Sequence, residues 1–446
     1  MIATLALVPV YALPLALAGL GWGWHHARRS HANRALLDAA RAKGLTAAPG
    51  LHPVIDPARC IGCGACVRAC PEADVLGLIG RTATLVQPSA CVGHGTCRDA
   101  CPTTAIELVF GSAAHPIAVP VLRAGGETVL PGIHVAGELG GRGLIRHAIT
   151  QGGAVIDHIA RELRQSPAPP GDAAHDVVII GCGPAGIAAA LGARAHGLDC
   201  VVVDQASLGG SIAHYPRGKL VMTGSAHLPL IGDVALGTVD KEALLAFWQD
   251  VLERGGLQPR FEERVETIVR EGEAWVVVTD RARLRTRRVV LATGRGGSPR
   301  RIGVAGEDLA KVAYRLDDPA LFAGQRVTVI GGGDSALEAA AMLAEVDATH
   351  VTLVHRGSGF TRAAPANRAL IERLEQSGAI TVLRQTRPLA ITPDAVLVST
   401  ADQERSLAND AVIICAGGTL PHEWLARIGI AVEWHDGSTP GGAPDA

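Results

Sequence analysis

The stretch DVVIIGCGPAGIAAALGARAHGLDCVVVDQ, residues 176–205, decides the fold. A short apolar run ends at Gly181, and Gly181, Gly183 and Gly186 follow the pattern G-x-G-x-x-G. A helix-like segment comes next, then a second apolar run that closes on Asp204. Strand, glycine turn, helix, strand and acid, in that order, describe a dinucleotide-binding βαβ unit. The glycines permit the tight turn and let a pyrophosphate sit on the helix N-terminus. Asp204 stands where a carboxylate hydrogen-bonds a ribose hydroxyl. A lone glycine pattern would be weak evidence; the full context makes it strong.

The pattern returns at residues 326–357, RVTVIGGGDSALEAAAMLAEVDATHVTLVHRG, where Gly331, Gly333 and Ala336 fill G-x-G-x-x-A. The second strand of this unit ends in His355 and Arg356, with Arg362 six residues later. An acid there would repel a 2′-phosphate and an Arg would pair with it, so the expectation is NADP(H) over NAD. Arg356 as a plain surface charge is the alternative. Ser335 joins Gly331, Gly333, His355, Arg356 and Arg362 as candidate contacts. Two dinucleotide sites in one chain suggest a flavin at one and a nicotinamide at the other.

This layout resembles the thioredoxin-reductase-like flavoproteins, over roughly residues 129–164 and 176–430. ATGRGG (292–297), VAGEDL (304–309), GGGDSALEAA (331–340) and ICAGGTLP (414–421) carry the likeness. HYPRGKLVMTG (214–224) is similar to the ferredoxin–NADP reductase and bacillithiol disulfide reductase branches. The resemblance implies FAD at the first turn and NADPH at the second. The disulfide reductases of that family carry C-x-x-C between the ATG segment and the second glycine turn. Residues 298–325 hold no cysteine, so no dithiol relay is expected there.

The family normally ends in T-x-x-P-G-[IV]-x-x-A-G-D, which completes the flavin domain. Here the like segment, TVLPGIHVAGE, lies at 128–138, ahead of the first glycine turn. The expectation is a circularly permuted flavin domain, with SPAPPGD (166–172) as the joint and Gly137 and Glu138 as flavin contacts. An unrelated linker domain over 113–165 is the alternative. His134 and His147 flank this segment and read as structural; no acid–base catalyst is assigned.

Seven of the ten cysteines fall between Cys60 and Cys101. Cys60-x2-Cys63-x2-Cys66-x3-Cys70-Pro71 is the bacterial cluster-binding run, whose fourth cysteine usually serves the other cluster. Cys91-Val-Gly-His94-Gly-Thr-Cys97-x3-Cys101-Pro102 repeats the frame with His94 in place of the second cysteine. Residues 52–110 thus resemble two-cluster bacterial ferredoxins. That pattern implies a [4Fe-4S] cluster on Cys60, Cys63, Cys66 and Cys101. It leaves Cys70, Cys91 and Cys97 for a second cluster, either [4Fe-4S] with a His ligand or [3Fe-4S]. Zinc needs four ligands, and seven cysteines overshoot that. Cys182, Cys200 and Cys415 read as buried and inert.

Net charge is -2, with no basic tract to suggest nucleic acid. Abundant Ala and Gly fit a protein with many close backbone contacts, or a codon bias. Residues 2–24 carry no charge, and Arg28, Arg29 and Arg34 follow. That run predicts one transmembrane helix, placing the chain in the cell membrane, single-pass, with its bulk cytoplasmic.

The expected class is α/β, with two Rossmann-like domains, a small α+β ferredoxin domain and the N-terminal transmembrane helix. The expected boundaries are 1–24 anchor, 25–50 linker, 51–112 ferredoxin, and 113–165 permuted segment of the flavin domain. They continue with 176–293 FAD domain, 294–414 NAD(P)H domain, and 415–446 return to the FAD domain and tail. The expected activity moves electrons between NADPH, FAD and the clusters, to or from a quinone, a cytochrome or a soluble carrier. Reduction of low-molecular-weight disulfides and non-enzymatic redox sensing are the alternatives. A homodimer is what the resemblance suggests.

Overall fold

The computed structural model describes residues 2–141, 143–166, 174–295, 299–400, 403–418 and 421–437, giving only the backbone course for 2–12. The chain divides into two compact units, one reaching to Pro116 and the other from Ile117 to His435, with Asp436 and Gly437 returning to the first.

The first unit opens with one 41-residue helix, α1 (Ile2–Ala42). The expected boundary between a 1–24 anchor and a 25–50 linker is not a break in the helix: no Pro or Gly interrupts 25–42, so the helix runs on. Its polar half docks locally: Asn33 Nδ2 donates to the Leu78 carbonyl at 2.9 Å and Gly80 N–H donates to Ser30 Oγ at 2.8 Å. The expected transmembrane helix, and with it the cell-membrane location, is corrected here. Among the described residues no helix is long and apolar enough to cross a membrane. The described side chains of the run, 13–24, make only twelve residues before His25, His26, Arg28 and Arg29, too short a stretch to cross a bilayer. The side chains of residues 2–12, which the expected span included, lie outside the described residues.

Beyond α1, β1 (His52–Ile55) pairs antiparallel with β4 (Ile106–Val109), and β2 (Leu76–Ile79) forms a hairpin with β3 (Thr82–Leu85). Two short helices, α2 (Ala65–Ala69) and α3 (Thr96–Asp99), each begin after a left-handed glycine, Gly64 or Gly95. Val75, Leu76, Ala83, Val86, Ile106 and Leu108 are buried between these pieces.

The second unit starts with β5 (Ile117–Pro120), β6 (Ile133–Val135) and helix α4 (Ile145–Gln165). Then come β7 (His175–Ile180), α5 (Pro184–Ala195) and β8 (Cys200–Val203), the first glycine unit. Two small ribbons follow, from β9 (Leu220–Met222), β10 (Ala226–Leu228), β11 (Gly232–Val234) and β12 (Thr238–Asp240). Helix α6 (Lys241–Gly255) leads to β13 (Val265–Glu271), β14 (Ala274–Thr279) and β15 (Arg283–Leu291). These strands form one sheet in the order β13-β14-β15-β7-β8, with β6 parallel to the end of β15, Ile133 opposite Val289.

Helices α4 and α5 cover one face. The approach is close because small residues line it: a Cβ on Gly152 would lie 2.1 Å from the Ala185 carbonyl oxygen, and one on Gly192 would lie 2.3 Å from Ile156. All the alanines from Ala185 to Ala193 are buried, which gives the Ala and Gly content a structural use.

A second sheet is wholly parallel, in the order β16 (Val312–Ala313), β23 (Ala411–Cys415), β17 (Arg326–Gly331), β18 (His350–Val354), β19 (Ile380–Leu383). Helix α7 (Asp334–Ala344) links β17 to β18, and α8 (Pro365–Gln376) precedes β19. An antiparallel ribbon of β20 (Arg387–Ile391), β21 (Ala395–Ser399) and β22 (Glu404–Ala408) lies between β19 and β23 in the chain. After α9 (His422–Arg427), β24 (Val432–His435) pairs antiparallel with β5, His435 opposite Ile117. The α/β class with two Rossmann-like sheets therefore stands.

Candidate functional site

The seven module cysteines fall into two groups. Cys66 is held above the usual thiol range by burial, helped by nearby Cys60, Cys63 and Cys101. The amides of Ala83 and Ala105 donate to Cys60 Sγ at 3.4 Å and Cys101 Sγ at 3.3 Å. Such N–H···S contacts suit thiolate ligands. The other group surrounds a small cavity lined by Cys70, Cys91, Cys97 and His94 with Val75 and Leu108. Burial pushes Cys91 up to about 11, with Cys70 and Glu72 adding. Burial pushes Cys97 up to about 12, with Cys91 adding. Loading this site must therefore release protons. Among the described residues no three His, Cys, Asp or Glu side chains converge to hold a single metal ion. The spread thiols and the cavity suit a multi-iron cluster, whose corners are each held by a separate thiolate.

The first glycine turn sits between β7 and α5. A Cβ on Gly186 would lie 1.9 Å from the Gly181 carbonyl oxygen, and one on Gly181 would lie 2.4 Å from Ala292 O. Gly183 meets nothing nearer than Gly210 at 3.8 Å, leaving its face open to a ligand. Asp204, at the end of β8, is buried; its Oδ2 accepts from Cys182 N–H at 2.6 Å and its Oδ1 from Ala206 N–H at 2.8 Å.

From the other side, β6 brings Gly137 to the turn. A Cβ there would lie 2.9 Å from Ala185 Cβ. Burial raises the Glu138 carboxyl, while the Arg295 side chain and amide pull it back. Arg295 Nη1 is buried without a hydrogen-bond partner. An orphaned guanidinium nitrogen near Glu138 is the kind of group an anionic ligand such as a diphosphate would pair with. His134 is buried and held below its usual range by desolvation; its Nδ1 lies 3.1 Å from Gly125 O, which suits a structural residue.

The second turn follows β17. A Cβ on Gly331 would lie 2.5 Å from Cys415 O, while Gly333 has nothing within 4 Å. Ser335 is exposed on the first turn of α7. The His355 ring packs against Gly332 and lies 4.9 Å from the Phe360 ring, tilted by 34°, and burial lowers its pKa. His355 thus buttresses the turn, whereas Arg356 and Arg362 are exposed beyond it. Gly331, Gly333 and Ser335 share one end of the parallel sheet with His355, Arg356 and Arg362; they form a site separate from Gly181, Gly183, Gly186, Asp204, Gly137 and Glu138.

The family described as pyridine nucleotide-disulphide oxidoreductase matches residues 178–441. The chain belongs to that family. A 4Fe-4S dicluster domain matches residues 52–102. The oxidoreductase is 28% identical over 270 residues to the bacilliredoxin reductase Bdr of Bacillus subtilis, covering 58% of this chain and 82% of that one. It is 30% identical over 262 residues to a ferredoxin–NADP reductase of Ignicoccus hospitalis, covering 57% and 81%. Among solved structures, the bacillithiol disulfide reductase Bdr of Bacillus cereus superposes with a TM-score of 0.53 at 28% identity, covering 57% and 81%. This is a flavin-dependent pyridine nucleotide oxidoreductase, FAD- and NADP-dependent, with a 4Fe-4S ferredoxin-type domain.

Four residues of the oxidoreductase carried no assignment from sequence. Tyr215 has its phenol raised by burial, with Glu138 and Glu338 adding. Lys219 Nζ donates to Glu338 Oε2 at 2.7 Å and lies 4.3 Å from the Tyr215 ring centroid. Glu338 belongs to α7, so this chain of contacts ties the first site to the second. Glu72, beside Cys70-Pro71, accepts from His94 Nε2 at 3.0 Å. Lys219 and Glu338 are 119 residues apart and Glu72 and His94 are 22 apart, and no local motif announces either pair.

Proposed function

We propose that the chain is an NADPH oxidoreductase that exchanges electrons between NADPH, FAD and its iron–sulfur clusters, and passes them to or takes them from a one-electron carrier. The observation that carries this reading is continuity of the chain. The strands that directly follow the ferredoxin motifs, β5 and β6, are members of oxidoreductase sheets. Residues 113–165 are read as the displaced end of the flavin domain, supported by β6 beside β15 and by Gly137 against Ala185. The boundaries follow: 51–112 ferredoxin, 113–165 with 176–293 flavin, 294–414 nicotinamide, and 415 onward returning to the flavin part.

Gly181, Gly183, Gly186, Asp204, Gly137 and Glu138 would hold FAD. Gly331, Gly333, Ser335 and His355 would hold the nicotinamide dinucleotide, with Arg356 and Arg362 on the 2′-phosphate. Cys60, Cys63, Cys66 and Cys101 would hold one cluster, and Cys70, Cys91 and Cys97 the other. When bound, the flavin supplies the two-electron to one-electron exchange and the clusters single-electron carriage. The chain's own part is placement: exposed arginines select the phosphate, and buried Glu138 and Arg295 set the charge at the first turn.

Anaerobic titration with NADPH tests this, read by flavin absorbance and by paramagnetic resonance. Both the flavin and the cluster signals are expected to change. Flavin bleaching with silent clusters would sink internal transfer. A second reading, reduction of a low-molecular-weight disulfide, draws on the likeness to bacilliredoxin reductase. Turnover of such a disulfide by NADPH in the cluster-free protein would favour it.

A further inference from the structure

We propose that His94 is the fourth side-chain ligand of the second cluster and that Glu72 is the residue that positions it. The inference rests on reading residues 52–102 as a two-cluster module, and concerns only how its second half is completed.

The two halves of the module repeat a backbone as well as a spacing. In the first half Cys63 stands three residues from both Cys60 and Cys66, flanked by Gly62 at φ 70° and Gly64 at φ 71°. In the second half His94 stands three residues from both Cys91 and Cys97, flanked by Gly93 at φ 77° and Gly95 at φ 81°. A left-handed residue on each side turns the chain the same way in both loops. Packing holds both loops in place: a Cβ on Gly62 would lie 2.3 Å from Arg81 O, and one on Gly93 would lie 2.7 Å from Leu51 O. The loop that presents Cys63 to the first cluster thus presents His94 to the second. His94 lines the cavity with Cys70, Cys91 and Cys97, where the fourth corner needs a donor.

Glu72 completes the arrangement. Its Oε1 lies 3.0 Å from His94 Nε2. A carboxylate acceptor there keeps the proton on Nε2 and leaves the lone pair on Nδ1, the tautomer a metal-binding imidazole needs. A neutral imidazole in place of a thiolate makes the cluster less negative and raises its potential, as histidine does in Rieske centres. The two clusters of this chain would then be unequal, with the His-ligated one the easier to reduce.

The experiment uses the full chain, purified and reconstituted with iron and sulfide under argon. Wild type is expected to hold about eight irons and to show nitrogen strongly coupled to a reduced cluster in pulsed paramagnetic resonance. His94→Ala is expected to fall to about seven irons and to gain an oxidised [3Fe-4S] signal. His94→Cys should keep about eight irons and lose the nitrogen coupling, which tests the ligand even if the alanine variant fails to fold. Glu72→Gln should keep its iron and its circular dichroism while its nitrogen coupling shifts. Wild type with about eight irons and no coupled nitrogen overturns the proposal. So does wild type with about seven irons, or a coupling that survives in His94→Cys. Wild type without labile sulfide overturns the two-cluster reading itself.

Discussion

At the first glycine turn the third small residue is Gly186, whose Cβ would strike the Gly181 carbonyl at 1.9 Å; at the second it is Ala336, buried and tolerated. The strands that follow differ more. The first ends in Asp204, buried and bonded to two amides of its own neighbourhood. The second ends in His355, packed under the turn, and Arg356, exposed beyond it. On the proposed reading both turns would offer the same diphosphate cradle of amides at a helix N-terminus. Discrimination would then fall to the residue after the second strand: a fixed acceptor in one case, a projecting cation in the other.

The largest effect should come from exchanging the tolerances of the turns. Gly186→Val places side-chain carbon on the Gly181 carbonyl, and flavin retention should fall by about 100-fold or more. Ala336→Gly should leave flavin content unchanged and cost about 1 kcal/mol of helix stability. Equal flavin loss in both variants, measured by absorbance after gel filtration, would break the contrast. Next in size, Arg356→Ala combined with Arg362→Ala removes charged hydrogen bonds to a 2′-phosphate. The KM for NADPH should rise about 10–100-fold while that for NADH hardly moves. An equal rise for both cofactors would mean the arginines do not select. Asp204→Asn trades an acceptor for a donor facing a backbone N–H, at about 1–3 kcal/mol, so flavin affinity should drop roughly tenfold. Unchanged affinity by fluorescence titration would leave Asp204 as a structural acid. The smallest effect belongs to Lys219→Met. This partly exposed ion pair with Glu338 should shift the urea midpoint by no more than about 1 kcal/mol, the usual worth of such pairs.

Both glycine turns, the cysteine groups and the class of fold were legible because each is a local pattern whose spacing reports the chemistry. The strand Ile133–Val135 was legible too, because TVLPGIHVAGE is a compact signature. The expected boundary at Trp24 misled because helix continuity past it depends on the lack of Pro and Gly over 25–42. The contact of Lys219 with Glu338 was not legible, since tertiary packing alone brings the two together across 119 residues. Glu72 was hidden for a different reason. It lies next to a motif, but its partner His94 is 22 residues away and bonds to it only because two loops face one cavity.

The pairing of β5 with β24 bears on the order of events at the ribosome. All the strand partners of the first unit lie within its opening 110 residues, so its thiols can be arranged as soon as they emerge. Strand β5 emerges next, but its partner β24 lies at 432–435. Until then β5 keeps an open edge, and such edges are prone to mispairing. The cluster-binding half therefore has the time taken to make the intervening chain in which to receive its iron.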